Sequence, residues 1–175
     1  MAEKIILCNG TQAFVVDPTA AKPDVLPFCA VSIELNEGEP SKIDVTTLCE
    51  TEKVREVDGL LGSSSSTITI NFDPQNAVHQ LFMAAKADKR ELVFRIGASD
   101  GTGSPEWNAA KQTFTKQTDR THWDFSGQIS AVPLSFAVNS ALQPQVSINM
   151  TSPIRSTLKV VSPTPTPIRQ ETATY

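Results

Sequence analysis

The chain has 175 residues, enough for one well-buried core and too few for two comfortable domains. Its net charge of −4 at pH 7 excludes the basic surface expected of a general nucleic-acid binder. No stretch approaches the roughly 18 consecutive apolar residues of a membrane-spanning helix, so no membrane span is expected.

The start, Met1-Ala-Glu-Lys-Ile-Ile-Leu-Cys8, lacks a long apolar run and a small-residue cleavage site, and no signal peptide is expected. Cys8, Cys29 and Cys49 are odd in number and have no C-x-x-C pairing, which suits buried thiols in a reducing compartment rather than a disulfide framework or a zinc site. Asn9-Gly10 lies between the apolar runs 4–8 and 11–16, a strong hairpin signal because both turn residues need positive φ. A connection over 17–27 leads to a strand at 28–35, where Val31, Ile33 and Leu35 alternate with Ser32 and Glu34. A break at Glu37-Gly38-Glu39-Pro40 precedes a second strand at 42–48.

Residues 49–65 read as a long loop, charged at its start, with a turn signal at Asp58-Gly59 and unsheltered Val57, Leu60 and Leu61. A loop of this length in a compact domain is usually functional or an interface. Glu52, Arg55, Val57, Leu60 and Leu61 are therefore candidate contacts with another subunit. Between Glu34 and Asp58 eight carboxylates stand against Lys42, Lys53 and Arg55, an excess of five negative charges.

The stretch 66–96 reads strand, helix, strand. Ile68, Ile70 and Phe72 alternate with polar residues. Asp73-Pro74 predicts a helix N-cap and first turn. Val78, Leu81, Phe82 and Ala85 form one apolar stripe on a helix over 73–87, and Leu92, Phe94 and Ile96 share a face of the next strand. Residues 97–120 form a second long connection containing Trp107 and Phe114, with one helical turn expected within 108–114. Trp123, Phe125, Gly127, Ile129 and Ala131 keep one alternation; Val132, Leu134 and Phe136 keep the opposite one, so a bulge or bend is expected at Ala131 to Pro133. The stretch 145–150 is the last clear strand of the core, followed by a weaker strand at 154–161 and an extended Pro/Thr-rich tail. The domain limits are 1–161 for one β-domain and 162–175 for the tail.

The chemistry of a catalyst is missing. His79 and His122 lack a second ligand at metal spacing, Ser63 to Ser66 is not a nucleophile elbow, and the acids of the long loop are interleaved with cations as in a solvated or interfacial cluster. No catalytic residue, metal or cofactor is expected.

The order of parts resembles a known family. Ile43-Asp44-Val45-Thr46-Thr47-Leu48 leads into a long loop. Then come a Thr/Ile strand, Asn71-Phe72-Asp73-Pro74, a helix with His79-Gln80-Leu81, and the 92–96 strand. Trp123-Asp124-Phe125-Ser126-Gly127-Gln128-Ile129-Ser130 and Val146-Ser147-Ile148-Asn149-Met150-Thr151 follow. From Ser41 to Thr151 this is similar to the major tail tube protein of long-tailed bacteriophages. The resemblance implies two packed, mostly antiparallel sheets, sandwich- or barrel-like, with one flanking helix. It implies hexameric rings stacked into a hollow tube in the virion tail, assembled in the host cytoplasm. It further implies a tape-measure protein inside, terminator and baseplate or tip proteins at the ends, and genomic DNA passing without sequence specificity. Inner tubes of contractile tails and type VI secretion share the fold and remain an alternative, as does a monomeric β-sandwich that binds carbohydrate or peptide. On the tube reading, Glu34, Glu39 and Asp44 are candidate lumen-facing residues, since a negative wall would repel DNA phosphates.

Overall fold

A computed structural model describes residues 8–47, 49 and 52–160, the side chain of Leu61 excepted. In chain order the elements are β1 (Gln12–Val16), β2 (Leu26–Phe28), β3 (Ser32–Asn36), β4 (Pro40–Asp44), β5 (Glu56–Leu61), β6 (Ser65–Thr69), α1 (Ala77–Asp88), β7 (Glu91–Gly97), β8 (Trp107–Asn108), β9 (Thr113–Phe114), β10 (His122–Ala131), β11 (Gln145–Met150) and β12 (Arg155–Thr157). The protein is mainly β, with antiparallel sheets and one helix. Eight strands form a sheet in the order β2-β1-β7-β10-β11-β6-β3, with β12 paired to the start of β10; β4-β5 and β8-β9 are separate two-stranded ribbons. All of the first expected strand, 4–8, except Cys8, and the tail 162–175 lie outside the described residues.

The terminal strands β2 and β3 are joined by only three residues, which can span at most roughly 14 Å from strand to strand. The sheet must therefore curl until its ends meet around one core. That core takes alternate residues of each strand, among them Val15, Ile68, Leu92, Phe94, Phe125, Val146 and Ile148. Phe94 and Phe125 are direct cross-strand partners, with rings stacked at 5.1 Å. At Gly127 an added Cβ would lie 2.6 Å from Ile148 Cγ2 and 2.7 Å from the Asn149 carbonyl oxygen, so β10 and β11 approach this closely only because the residue is glycine.

The helix begins later than expected. Asn76, not Asp73, is the N-cap, and its Oδ1 accepts the Val78 N–H at 2.9 Å. Asp73 instead folds its carboxylate onto the Gln75 N–H at 2.9 Å, making Asp73-Pro74 a turn ahead of the helix. The helix ends on Lys89 in the left-handed region, whose N–H returns to Ala85 and Lys86 carbonyls. Val78, Phe82 and Ala85 are buried and Leu81 is half-buried against the same cluster. Phe82 meets Phe28 edge-on at 5.5 Å.

The 97–120 connection holds the β8-β9 ribbon where a helical turn was expected. Trp107 and Phe114 pack edge to face at 5.4 Å and cover Phe14, Val16 and Val93 on the outer face of β1 and β7. Arg95, on that face and buried, makes a two-bond fork to Asp124 at 2.6 Å each and lies over the Phe114 ring, 4.7 Å from its centroid. Arg120 closes the connection, donating to the carbonyls of Gly97 at 2.7 Å and Ala98 and to Gln12 Oε1 at 2.8 Å. Burial works against ionisation of Asp100, but hydrogen bonds from Thr121 and the nearby Lys159 ammonium win and hold its carboxyl below the usual carboxylate range.

The register of β10 on β11 slips between Ile129 and Ala131, just ahead of the Ala131–Pro133 stretch where a bulge, bend or edge was expected, and the strand ends at Ala131. Val132 turns into the core, but Leu134 and Phe136 continue no strand and are exposed. The three cysteines are exposed rather than buried, because each falls in a turn or connection rather than in a strand.

Two outcomes follow for stability. Phe82→Ala should cost about 3–5 kcal/mol in chemical denaturation and half-exposed Leu81→Ala less, the difference reporting how deeply each fills the core. Because the folded pKa of Asp100 is depressed, its contribution is present above the unfolded value of about 3.9 and is lost as pH falls through the lower folded value. The destabilisation caused by Asp100→Asn should therefore be evident at pH 7 and shrink in melts below about pH 4.

Candidate assembly surface

Between β3 and β6 the chain leaves the main sheet. Residues 49–65, expected as a loop, contain β5, which pairs with β4 in the register Ile43 to Val57, Lys42 to Asp58 and Asp44 to Glu56. Gly59 reads as part of a turn in the sequence, but it lies within β5, close against Ser41 across the ribbon. A Cβ there would lie 2.6 Å from Ser41 Oγ and 3.0 Å from Ile43 Cδ1. The ladder continues through the Val45 N–H to the Arg55 carbonyl at 2.8 Å, and the Arg55 N–H donates to Thr46 Oγ1 at 2.9 Å. At the base, the Gly62 N–H bonds the Glu39 carbonyl at 2.9 Å, and an added Cβ on Gly38 would lie 2.4 Å from the Gly62 carbonyl oxygen. Two glycines thus let the strands cross as they leave the body.

This arm pairs with itself and joins neither other sheet. Its two faces differ in chemistry. Direct partners share a face, so Ile43 and Val57, 53% and 52% exposed, lie together, with Val45 next on that face just past the end of β4. The opposite face carries the Lys42–Asp58 ion pair, Asp44 and Glu56. The Thr46 hydroxyl, and then its N–H, hold the Asp44 carboxyl below the usual range. Leu60, 86% exposed, lies at the register shift between the Lys42–Asp58 and Pro40–Leu61 pairs. The Leu61 backbone pairs with Pro40 at the base. Glu52 and Arg55 are exposed near the tip, and Glu39 is exposed at the base.

The structure therefore brings Val57 to Ile43 and Val45, residues that the sequence left in separate segments. It does not bring the three acidic candidates together. Asp44 is on the arm and Glu39 at its root, whereas Glu34 is on β3 of the main sheet. Glu34 pairs with Thr67 of β6, which pairs with Ser147 of β11. The rows on either side are Ser32, Thr69, Gln145 and Asn36, Ser65, Asn149. This outer face is a field of hydroxyls and amides whose one charge is Glu34. Sequence reasoning overlooked it because polar positions of alternating strands were read only as the reverse of the core.

The two histidines are committed to packing. His79 is buried, stacks on Phe72 and takes the Asp73 N–H on Nδ1 at 2.9 Å. His122 is buried with Nδ1 3.1 Å from the Arg120 carbonyl oxygen. Among the described residues no group of His, Cys, Asp and Glu is placed to hold a metal, and no helix is long and apolar enough to cross a membrane.

A curled antiparallel sheet with an outward arm and a bare polar face defines a structural β-protein. Residues 4–160 match the family described as phage tail tube, TTP, lambda-like, and the chain belongs to that family. It is a structural tail protein of the virion and not an enzyme. Structural protein 3 of Pseudomonas phage PAJU2 is 25% identical over 150 residues, covering 83% of this chain and 90% of that protein. Among solved structures, the SPP1 tail tube superposes with a TM-score of 0.62 at 12% identity, over 90% of this chain and 81% of that one. The sheath–tube complex of the PVC extracellular contractile injection system gives 0.57 at 11% identity, over 89% and 93%. At such identities these two likenesses are of fold.

Joining Gly38 directly to Gly62 removes the arm at the point where the backbones already touch. That variant should keep the parent's thermal midpoint within a few degrees, because the arm lends nothing to the core, and should lose polymerisation measured by sedimentation. Normal polymers from the armless chain would remove the arm from the assembly surface.

Proposed function

We propose that this chain is the tube-forming subunit, six copies closing a ring and rings stacking into a hollow conduit. The observation that carries the reading is the arm, whose apolar face of Ile43, Val45 and Val57 stays in water in the isolated chain. Such a face, on a ribbon that no other of the described residues covers, is an interface awaiting a partner. Family membership and the likeness to the SPP1 tube support the same conclusion. The terminal strand β3, paired on one side only among the described residues, offers a sheet edge for ring closure. A solitary binding module accounts for neither feature. The fold likeness to the contractile injection system also fits an inner tube of a contractile tail, but the lambda-like family match favours the long-tailed phage tube.

In this reading the polar face of β3, β6 and β11 lines the channel. Hydroxyls and amides offer DNA no cation to grip, and one Glu34 from each copy would make a ring of six negative charges. Asp44 and Glu39 add charge at the arm and its root. The tape-measure protein would occupy the lumen before ejection, terminator and baseplate or tip proteins would cap the ends, and assembly would take place in the host cytoplasm.

Electron microscopy of the purified protein should show six-fold rings and stacked tubes. Glu34→Lys tubes should retain double-stranded DNA at low salt and release it as salt rises, whereas parental tubes should hold none. A protein that remains monomeric at high concentration would contradict the tube; equal DNA retention by both tubes would contradict the lumen assignment alone.

A further inference from the structure

The pairing of β3, β6 and β11 fixes which connections leave the body at which pole. Asn36, Ser65 and Asn149 share one end, and Ser32, Thr69 and Gln145 share the other. The arm departs between Asn36 and Ser65, from the first pole. The connection 132–144 enters β11 at Gln145, at the second. It is fastened there by the Phe72 N–H on the Leu142 carbonyl at 2.9 Å and by Gln143 Nε2 on Asn71 Oδ1 at 2.8 Å. Ahead of these fastenings, Phe136 is 79% and Val138 92% exposed, with Leu134 beside them also exposed. From Phe125 to Ile154 the sequence holds no charged residue at all. The molecule thus carries two bare apolar surfaces, an arm face and a loop, at opposite poles.

We propose that the loop at 133–138 is the seat for the apolar arm face of a second copy of this chain, so that copies join head to tail along the tube. This rests on the tube reading and specifies its counter-surface. Both surfaces present branched or aromatic side chains; the loop carries no charge, and the one ion among the described residues of the arm face, Arg55 opposite Val45, lies toward the tip, where its long side chain can keep the guanidinium in water. The charged arm face, with Lys42, Asp44, Glu56 and Asp58, would remain turned to water. Because the two surfaces differ and sit at opposite poles, a two-fold dimer built on one of them leaves the other bare; only a heterologous contact that repeats satisfies both. The arm has the reach: Gly38 to Thr46 spans about 27 Å when extended, against about 14 Å for β6.

The test uses the full chain under conditions in which the parent forms tubes. Phe136→Asp combined with Val138→Asp should leave the thermal midpoint unchanged and abolish tubes while sparing ring-sized oligomers. A second experiment joins the surfaces covalently. With Cys8, Cys29 and Cys49 replaced by serine, Val57→Cys and Phe136→Cys together should give a ladder of disulfide-linked multimers on oxidation, and neither cysteine alone should. Tubes that form without a ladder, or that tolerate both aspartates, would overturn this pairing and leave the tube standing. A parent that forms no tubes would overturn the tube reading and this pairing with it.

Discussion

The three residues between Phe28 and Ser32 constrain everything else in the body. They tie together the terminal strands of the sheet, whose order places β2 and β3 farthest apart. A flat sheet of this order could not be bridged by so short a link. Curling is therefore compulsory, and it creates the single aromatic-rich interior into which Phe82 of the helix is driven. The Phe94–Phe125 stack and the close passage at Gly127 are consequences of drawing the strands around that centre.

Curling also gives the sheet an outside, and the two halves of that outside are treated differently. Over β1, β7 and β10 lies the β8-β9 ribbon, with Arg95 held between Asp124 and the face of Phe114. A buried guanidinium needs such a full set of partners, since removing Asp124 would strand its charge in a poorly hydrated site. Over β3, β6 and β11 none of the described residues is laid down. Small polar side chains there hydrate readily and attract neither sign of charge, apart from Glu34. The covered half gives rigidity; the bare half is free to face a channel.

Much of this was legible in the residues. Period-two alternation located β3, β6, β7, β10 and β11, because in each of them polar residues alternate with the apolar residues of the core, and a helical stripe located α1. The order of those parts was enough to indicate the family. What escaped had physical reasons. The 11–16 strand was legible as an apolar run, but not why it lacks alternation: both its faces are buried, the second beneath Trp107 and Phe114 of the distant β8-β9 ribbon. Asp73 resembles a cap but is consumed by its own turn. β5 was hidden because Asp58-Gly59 imitates a turn, whereas that glycine makes room for Ser41 and Ile43 across the ribbon. Once β5 is recognised, the scattered apolar residues of the supposed loop become one face of an arm. The exposed Leu134 and Phe136 were read as a continued alternation because alternation alone cannot tell a strand from a loop that stops being paired.

The central claim is that the arm and the polar sheet face are parts of an assembled conduit rather than ornaments of a solitary domain. A cryo-EM reconstruction of the polymer at side-chain resolution tests this most directly. The account predicts Ile43, Val45 and Val57 buried between copies, with Glu34, Thr67 and Ser147 facing an open channel. An arm left in solvent, or a polar face turned to the outside of the polymer, would contradict it.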